Sequence, residues 1–231
     1  MDKNFDNLQI PHQRNFADVV FCIDFSGSMT GVIDGLVKYI VDFVRQLNNN
    51  SDNPLDIRIG FIGHYYGYFF IKDFTTDTEE FKNALIGILT GGNEFTLPAL
   101  DWAVDFNWKD KVHKIVILFT DECLPTGHDP DRQRSKMSEL AEKIIKMHVK
   151  VFAYGPDECD EYREFFQGLP RCSYSGVDFY SIKVDDMKPV LEQIAKTVSA
   201  SANGPGEQLP SNIEKDIYKV KEDTGFKFIR L

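Results

Sequence analysis

Two apolar runs without a polar interruption, Val19-Val20-Phe21-Cys22-Ile23 and Ile115-Val116-Ile117-Leu118-Phe119, constrain this chain more than any other feature. A strand with one face in water alternates apolar and polar residues. A strand that does not alternate must be covered on both faces. Val149 to Tyr154 reads as a third buried strand, and a sixth is expected near Asp178 to Val184. Between these runs the apolar spacing becomes helical: Ile33, Leu36, Val37, Ile40, Val44 and Leu47 share one face, as do Met137, Leu140, Ala141, Ile144 and Ile145, and again Met187, Val190, Leu191, Ile194 and Val198. Strands that alternate with helices call for crossover connections and a parallel sheet. Two β-rich segments, Asp56–Ile62 and Tyr68–Phe74, flank the short aromatic stretch Gly63-His64-Tyr65-Tyr66-Gly67, which predicts an antiparallel hairpin at one edge. The expected fold is α/β: a doubly wound, mostly parallel six-stranded sheet with one antiparallel edge strand and helices on both faces.

The shorter elements follow from local signals. Asp77 with Glu80 resembles a capping box for a helix through Phe81, Ala84, Leu85 and Ile88 that ends at Gly91-Gly92. Pro98 marks the first turn of a helix through Ala99, Leu100, Ala103 and Val104, which places Thr96 near its N-terminus. Cys159 to Phe166 suggests a short helix, and Asp185 is placed to cap the last long one. Residues 1–15 read as a polar lead-in, 16–200 as one folded domain, and 201–231 as a turn-rich linker followed by a charged and apolar segment. That last segment suits either a docking role or the start of a further region.

At 231 residues with 42% hydrophobic content the chain can bury a full core. With 26 basic against 36 acidic residues the net charge is −10, which argues against nucleic acid or anionic membrane as partners and for cationic ones, metal ions included. No apolar segment reaches the length of a membrane span, and the N-terminus lacks a signal-peptide pattern, so the expected location is cytoplasmic. Cys22, Cys123, Cys159 and Cys172 show no metal-binding spacing and are expected to be reduced thiols.

Directly after the first apolar run stands Asp24-Phe25-Ser26-Gly27-Ser28. A carboxylate and two hydroxyls at every second position, where a buried strand runs into a turn, direct three hard oxygens at one point. In open α/β sheets the ligand crevice lies beyond the carboxyl ends of the strands, where strand order reverses. Asp121 ends the second apolar strand and Thr96 opens a helix just before it, so both loops can return to the same crevice. Asp24, Ser26, Ser28, Thr96 and Asp121 then form an all-oxygen set suited to Mg²⁺ or Mn²⁺. His64, Tyr65, Tyr66 and Tyr68 suggest either an aromatic surface or, in preference, local packing. His128, with Asp129 and Asp131, lies in the loop after Asp121.

This pattern resembles the metal-ion-dependent adhesion site of the von Willebrand factor A family: Asp-x-Ser-x-Ser, then a Thr, then an Asp. The match is carried by Asp24-Phe25-Ser26-Gly27-Ser28, by Thr96 after Gly91-Gly92, and by Phe119-Thr120-Asp121. The element order agrees from about Ala17 to Ala200. The chain departs from the family in reading Gly-Gly-Asn-Glu-Phe-Thr-Leu-Pro around the middle ligand, which leaves Glu94 beside Thr96 as a candidate, and in having Glu122 where a glycine is usual after Asp121. The resemblance implies a non-enzymatic interaction module, in an intracellular multiprotein assembly, whose metal accepts an Asp or Glu from a partner protein. It also implies that metal can bias the position of the last helix. Two alternatives stand beside it. A Mg²⁺-dependent phosphatase or phosphotransfer enzyme also ends its first strand in Asp, but needs an acid–base Asp two positions on, where this chain has Ser26. The other is a metal-free scaffold. No phosphate-cradling glycine motif is present.

Overall fold

The computed structural model describes residues 15–49, 54–65, 68–92, 95–125, 129–179 and 181–203. Six strands form one sheet: β1 (Asn15–Asp24), β2 (Leu55–Tyr65), β3 (Tyr68–Thr75), β4 (His113–Phe119), β5 (Lys150–Gly155) and β6 (Cys172–Gly176), in the order β3-β2-β1-β4-β5-β6. β3 alone is antiparallel to its neighbour; every other pairing is parallel. Among the described residues six α-helices complete it: α1 (Thr30–Asn48), α2 (Thr78–Leu85), α3 (Thr96–Val104), α4 (Pro130–Met147), α5 (Asp160–Gln167) and α6 (Met187–Asn203).

The unbroken apolar runs do what their composition demands. In β1, Val19, Phe21 and Ile23 face a core built with α1, α2 and α6, while Val20 and Cys22 face a second core built with α3, α4 and α5. Ile115, Ile117 and Phe119 of β4 divide from Val116 and Leu118 in the same way. All of these side chains are buried. Burial of this kind contributes roughly 1.5–3 kcal/mol for each large apolar side chain, so the central strands anchor the domain.

Several sequence expectations need correction. The sixth strand is Cys172–Gly176, not the stretch near Asp178 to Val184, whose described residues include turns at Phe179 and Ser181 and lead into a short 3-10 turn at Val184–Asp186. β6 is an edge strand and only Tyr174 in it is buried, so it lacks the apolar signal of the central strands. α2 stops at Leu85 instead of reaching Gly91-Gly92 because Gly87 takes φ 85°, in the left-handed region that breaks a helix. Asp77 does cap α2, accepting from the Glu79 and Glu80 N–H groups, but the Glu80 carboxylate turns to Lys72 and Thr75 rather than closing a capping box. Asp185 does not cap α6; its carboxylate accepts from Lys38 and Tyr39 of α1. α6 itself extends to Asn203, past the expected linker boundary, with Ala202 still buried. The rest of the expected linker and docking segment, the lead-in before Asn15, and His128 lie outside the described residues.

Candidate functional site

Strand order reverses between β1 and β4, which are adjacent while their sequence neighbours run to opposite sides of the sheet. Asp24 is the last residue of β1, and Asp121 follows β4 by two positions. The carboxyl ends of both strands therefore open on one crevice, where a doubly wound sheet places its ligand.

The first loop is held from below by Phe25. This side chain, between the first two candidate ligands, is fully buried, and its ring lies on Gly63 of β2 so closely that a Cβ there would sit 1.8 Å from it. Main-chain bonds pin the same point: Phe25 N–H donates to the His64 carbonyl at 3.0 Å, and Gly91 N–H to the Phe25 carbonyl at 2.9 Å. Ser26 forms an isolated bridge with Gly91. The Ser26 N–H turns back to Asp24 Oδ1 at 2.8 Å, the local Asp-driven turn that the sequence pattern favours. The short turn Gly27–Met29 then leads into α1.

The oxygens form two hydrogen-bonded groups, joined by the Ser26 N–H bond to Asp24 Oδ1. Ser28 Oγ lies 3.0 Å from Ser26 Oγ. The Ser26 hydroxyl donates to Asp121 Oδ1 at 3.2 Å. On the other side, the Thr120 hydroxyl donates to Asp24 Oδ2 at 3.2 Å and lies 3.3 Å from Thr96 Oγ1. Asp24, Ser26, Thr96 and Asp121 are buried and Ser28 is exposed, so the cluster has one open side. All five sequence-predicted residues thus meet at one place. Glu94 lies outside the described residues.

Thr120, which is not among the expected ligands, links Asp24 to Thr96. Its parity was a usable signal: two residues after Leu118, it shares the α3 side of the sheet with Asp24, two residues after Cys22. Tyr162 of α5 is buried near Thr96; burial raises the pKa of its phenol, which stays protonated. Burial, and secondarily Asp24, likewise raises the Cys22 thiol.

Asp121 Oδ2 is buried and has no hydrogen-bond partner among the described residues. A carboxylate oxygen in that position is costly unless something else meets it. The available donors are carboxylate and hydroxyl oxygens, the kind of set that hard cations take and soft metals do not. Among the described residues no group of three or more His, Cys, Asp or Glu side chains could hold a metal, so any ion here would depend on the hydroxyls.

The cysteines differ from expectation. Cys123, just past Asp121, is bonded to Cys159 at the entry to α5, with Cα atoms 5.1 Å apart; Cys22 and Cys172 are free. β4 and β5 are parallel neighbours, so the loops that leave their carboxyl ends lie side by side, a proximity that sequence spacing does not reveal. The hairpin aromatics also divide. His64 is fully buried, Tyr68 is exposed, and Tyr66 and the Tyr65 side chain lie outside the described residues. Trp102 is exposed on α3, and the Trp108 indole N–H donates to the Val104 carbonyl at 2.9 Å.

Comparison with known proteins agrees with this architecture. The family model for the von Willebrand factor type A domain matches residues 18–203. No curated protein matches the chain by sequence. Among solved structures, the pilus adhesin SpaC from Lactobacillus rhamnosus GG in its open conformation is 15% identical with a TM-score of 0.58, over 81% of this chain and 30% of the adhesin. The chain therefore spans about a third of that protein's length. The VWA domain of SpRpn10 is 13% identical, also at a TM-score of 0.58, over 77% of this chain and 94% of that domain. At these identities the structural likeness establishes the fold, while the family match covers most of the sequence. The chain belongs to the von Willebrand factor type A domain family, whose members generally act as protein-interaction modules.

Proposed function

We propose that this domain binds Mg²⁺, or Mn²⁺, through Asp24, Ser26, Ser28, Thr96 and Asp121, and uses it to capture an Asp or Glu side chain of a partner protein. The observation that carries this reading is the buried Asp121 Oδ2, without a hydrogen-bond partner among the described residues, at the end of a connected row of hydroxyls. Two carboxylates balance a divalent charge and hydroxyls add none. A bound ion would supply an electrophile for one further anionic oxygen. The open side at Ser28 is where a partner has access.

Binding rather than catalysis suits the position two residues after Asp24. A phosphotransfer site needs an acid–base carboxylate there, whereas the Ser26 hydroxyl is engaged with Ser28 and Asp121. The Cys123–Cys159 bond bears on location: disulfides persist in oxidising compartments, so it favours one of these over the cytoplasm expected from sequence. Among the described residues no helix is long and apolar enough to cross a membrane.

Titration calorimetry with Mg²⁺ tests the first step, and partner capture with and without EDTA tests the second. Wild type should bind metal and Asp24→Ala should not. Equal heats for the two proteins, or partner capture indifferent to EDTA, would sink the reading.

A further inference from the structure

We propose that His64 is a positioning residue for Thr96, acting as the hydrogen-bond acceptor that sets where α3 begins. The inference rests on the metal-site reading above and adds a residue to it.

His64 lies on β2 in register with Asp24 of β1 and is fully buried. Its main chain and its ring serve different ligand loops. The carbonyl accepts from Phe25 N–H at 3.0 Å, beneath the Asp24 loop. The ring Nδ1 accepts from Phe95 N–H at 3.1 Å, immediately before Thr96. α3 needs such an acceptor: the first N–H groups of a helix have no partner within it, and Phe95, at the N-cap position, provides no side-chain cap. Another donor of this first turn, Leu97 N–H, goes to Oε1 of the buried Gln133 on α4 at 3.1 Å. Two side chains from other elements thus replace the missing local cap, one on each side of Thr96.

The state of the imidazole follows from this geometry. With Nδ1 accepting, the ring proton is on Nε2, and Nε2 is buried without a hydrogen-bond partner among the described residues. Burial lowers the ring's pKa to about 3, so it remains an acceptor at neutral pH. A leucine would fill the space without burying an unmet N–H. What it would not do is receive the Phe95 N–H, and Thr96 Oγ1 would lose its fixed place beside Thr120 Oγ1.

The test compares His64→Leu, which removes the acceptor, with His64→Asn, whose amide oxygen can take the place of Nδ1, and His64→Gln, whose oxygen reaches the place of Nε2 instead. Groups that orient metal ligands are typically worth ten- to a hundredfold in affinity, so His64→Leu should weaken Mg²⁺ binding about tenfold. His64→Asn should stay within about threefold of wild type, and His64→Gln should resemble His64→Leu. In a Thr96→Ala background His64→Leu should add nothing, because the lost interaction acts through Thr96. Hydrogen exchange supplies a metal-free readout: the Phe95 amide should lose protection in His64→Leu and keep it in His64→Asn. If His64→Leu does not fold, the Asn and Gln pair decides. The proposal is overturned by equal behaviour of Asn and Gln, by wild-type affinity in a folded His64→Leu, or by losses that simply add to those of Thr96→Ala. Failure of wild type to bind Mg²⁺, or binding unaffected by Asp24→Ala, counts against the metal site; the Phe95 exchange then judges His64 on its own.

Discussion

At the amino end of β1, Asp18 is 1% exposed and meets Arg58 through two hydrogen bonds, 2.8 Å from Nε and 2.6 Å from a terminal nitrogen; its second oxygen also accepts the Lys109 N–H at 3.0 Å. The Arg58 guanidinium packs over the Phe74 ring at 4.5 Å. At the carboxyl end of the same strand Asp24 is 0% exposed, and its described hydrogen bonds come from the Ser26 N–H and the Thr120 hydroxyl, while across the crevice Asp121 accepts from the Ser26 hydroxyl. One end thus compensates its buried carboxylate with a protein cation in bidentate geometry. The other surrounds two carboxylates with hydroxyl and amide donors. A buried charge must be met by something: Asp18 meets a protein cation, whereas Asp121 Oδ2 is buried without a hydrogen-bond partner among the described residues, and on the reading proposed above a cation from outside would meet it.

The largest expected effect breaks the end that holds the protein cation. Arg58→Met strands Asp18 as a lone buried charge and should cost about 3–5 kcal/mol in urea unfolding; Asp18→Leu on top of it should restore part of that loss. If Arg58→Met is silent, the two ends do not differ as argued.

The disulfide beside the open end comes next. Removing a native disulfide typically costs about 2–4 kcal/mol, and Cys123→Ser with Cys159→Ser should fall in that range. The bond ties the Asp121 loop to α5, which carries Tyr162, so the same variant should weaken Mg²⁺ binding, whereas loss of the Asp18–Arg58 pair should leave metal affinity unchanged. Mass labelling of thiols before and after reduction checks the pairing directly.

Metal addition should stabilise wild type by about 2.7 kcal/mol at a hundredfold excess over Kd. The shift should be absent in Asp24→Ala and intact in the Asp18 and Arg58 variants. Thermal unfolding with Mg²⁺ and with EDTA reads it.

The smallest effect is a pH slope. His64 has a folded pKa of about 3, below its ordinary value of 6.5, so the unfolded chain takes up the proton first. Its contribution to stability is therefore full above pH 6.5 and is lost as pH falls toward 3. The slope approaches about 1.4 kcal/mol per pH unit in that window. His64→Asn should remove this component between pH 5 and 6.5, where most carboxylates are still ionised. An unchanged slope would place the ring in water.

The alternation of buried strands with amphipathic helices was legible because each signal is local: Val19–Ile23 and Ile115–Phe119 have only one way to be covered. β6 was misplaced because an edge strand with a single buried side chain has almost no apolar pattern, and α2 ended early because a turn at Gly87 intervened. Asp24, Ser26 and Ser28 were readable as a unit for the same local reason. Thr120, Tyr162, Gln133 and His64 were not, since each acts across elements and none carries a pattern of its own.

The amino-acid sequence by itself determined the layered α/β architecture and the end of the sheet at which oxygens would gather, because burial periodicity and a strand-end turn are properties of neighbouring residues. Only the tertiary structure decided that Thr120 bridges Asp24 and Thr96, that Cys123 meets Cys159, and that a buried histidine holds the start of α3. Those contacts join segments far apart in the chain, and their partners are chosen by sheet order and register, which no local stretch encodes.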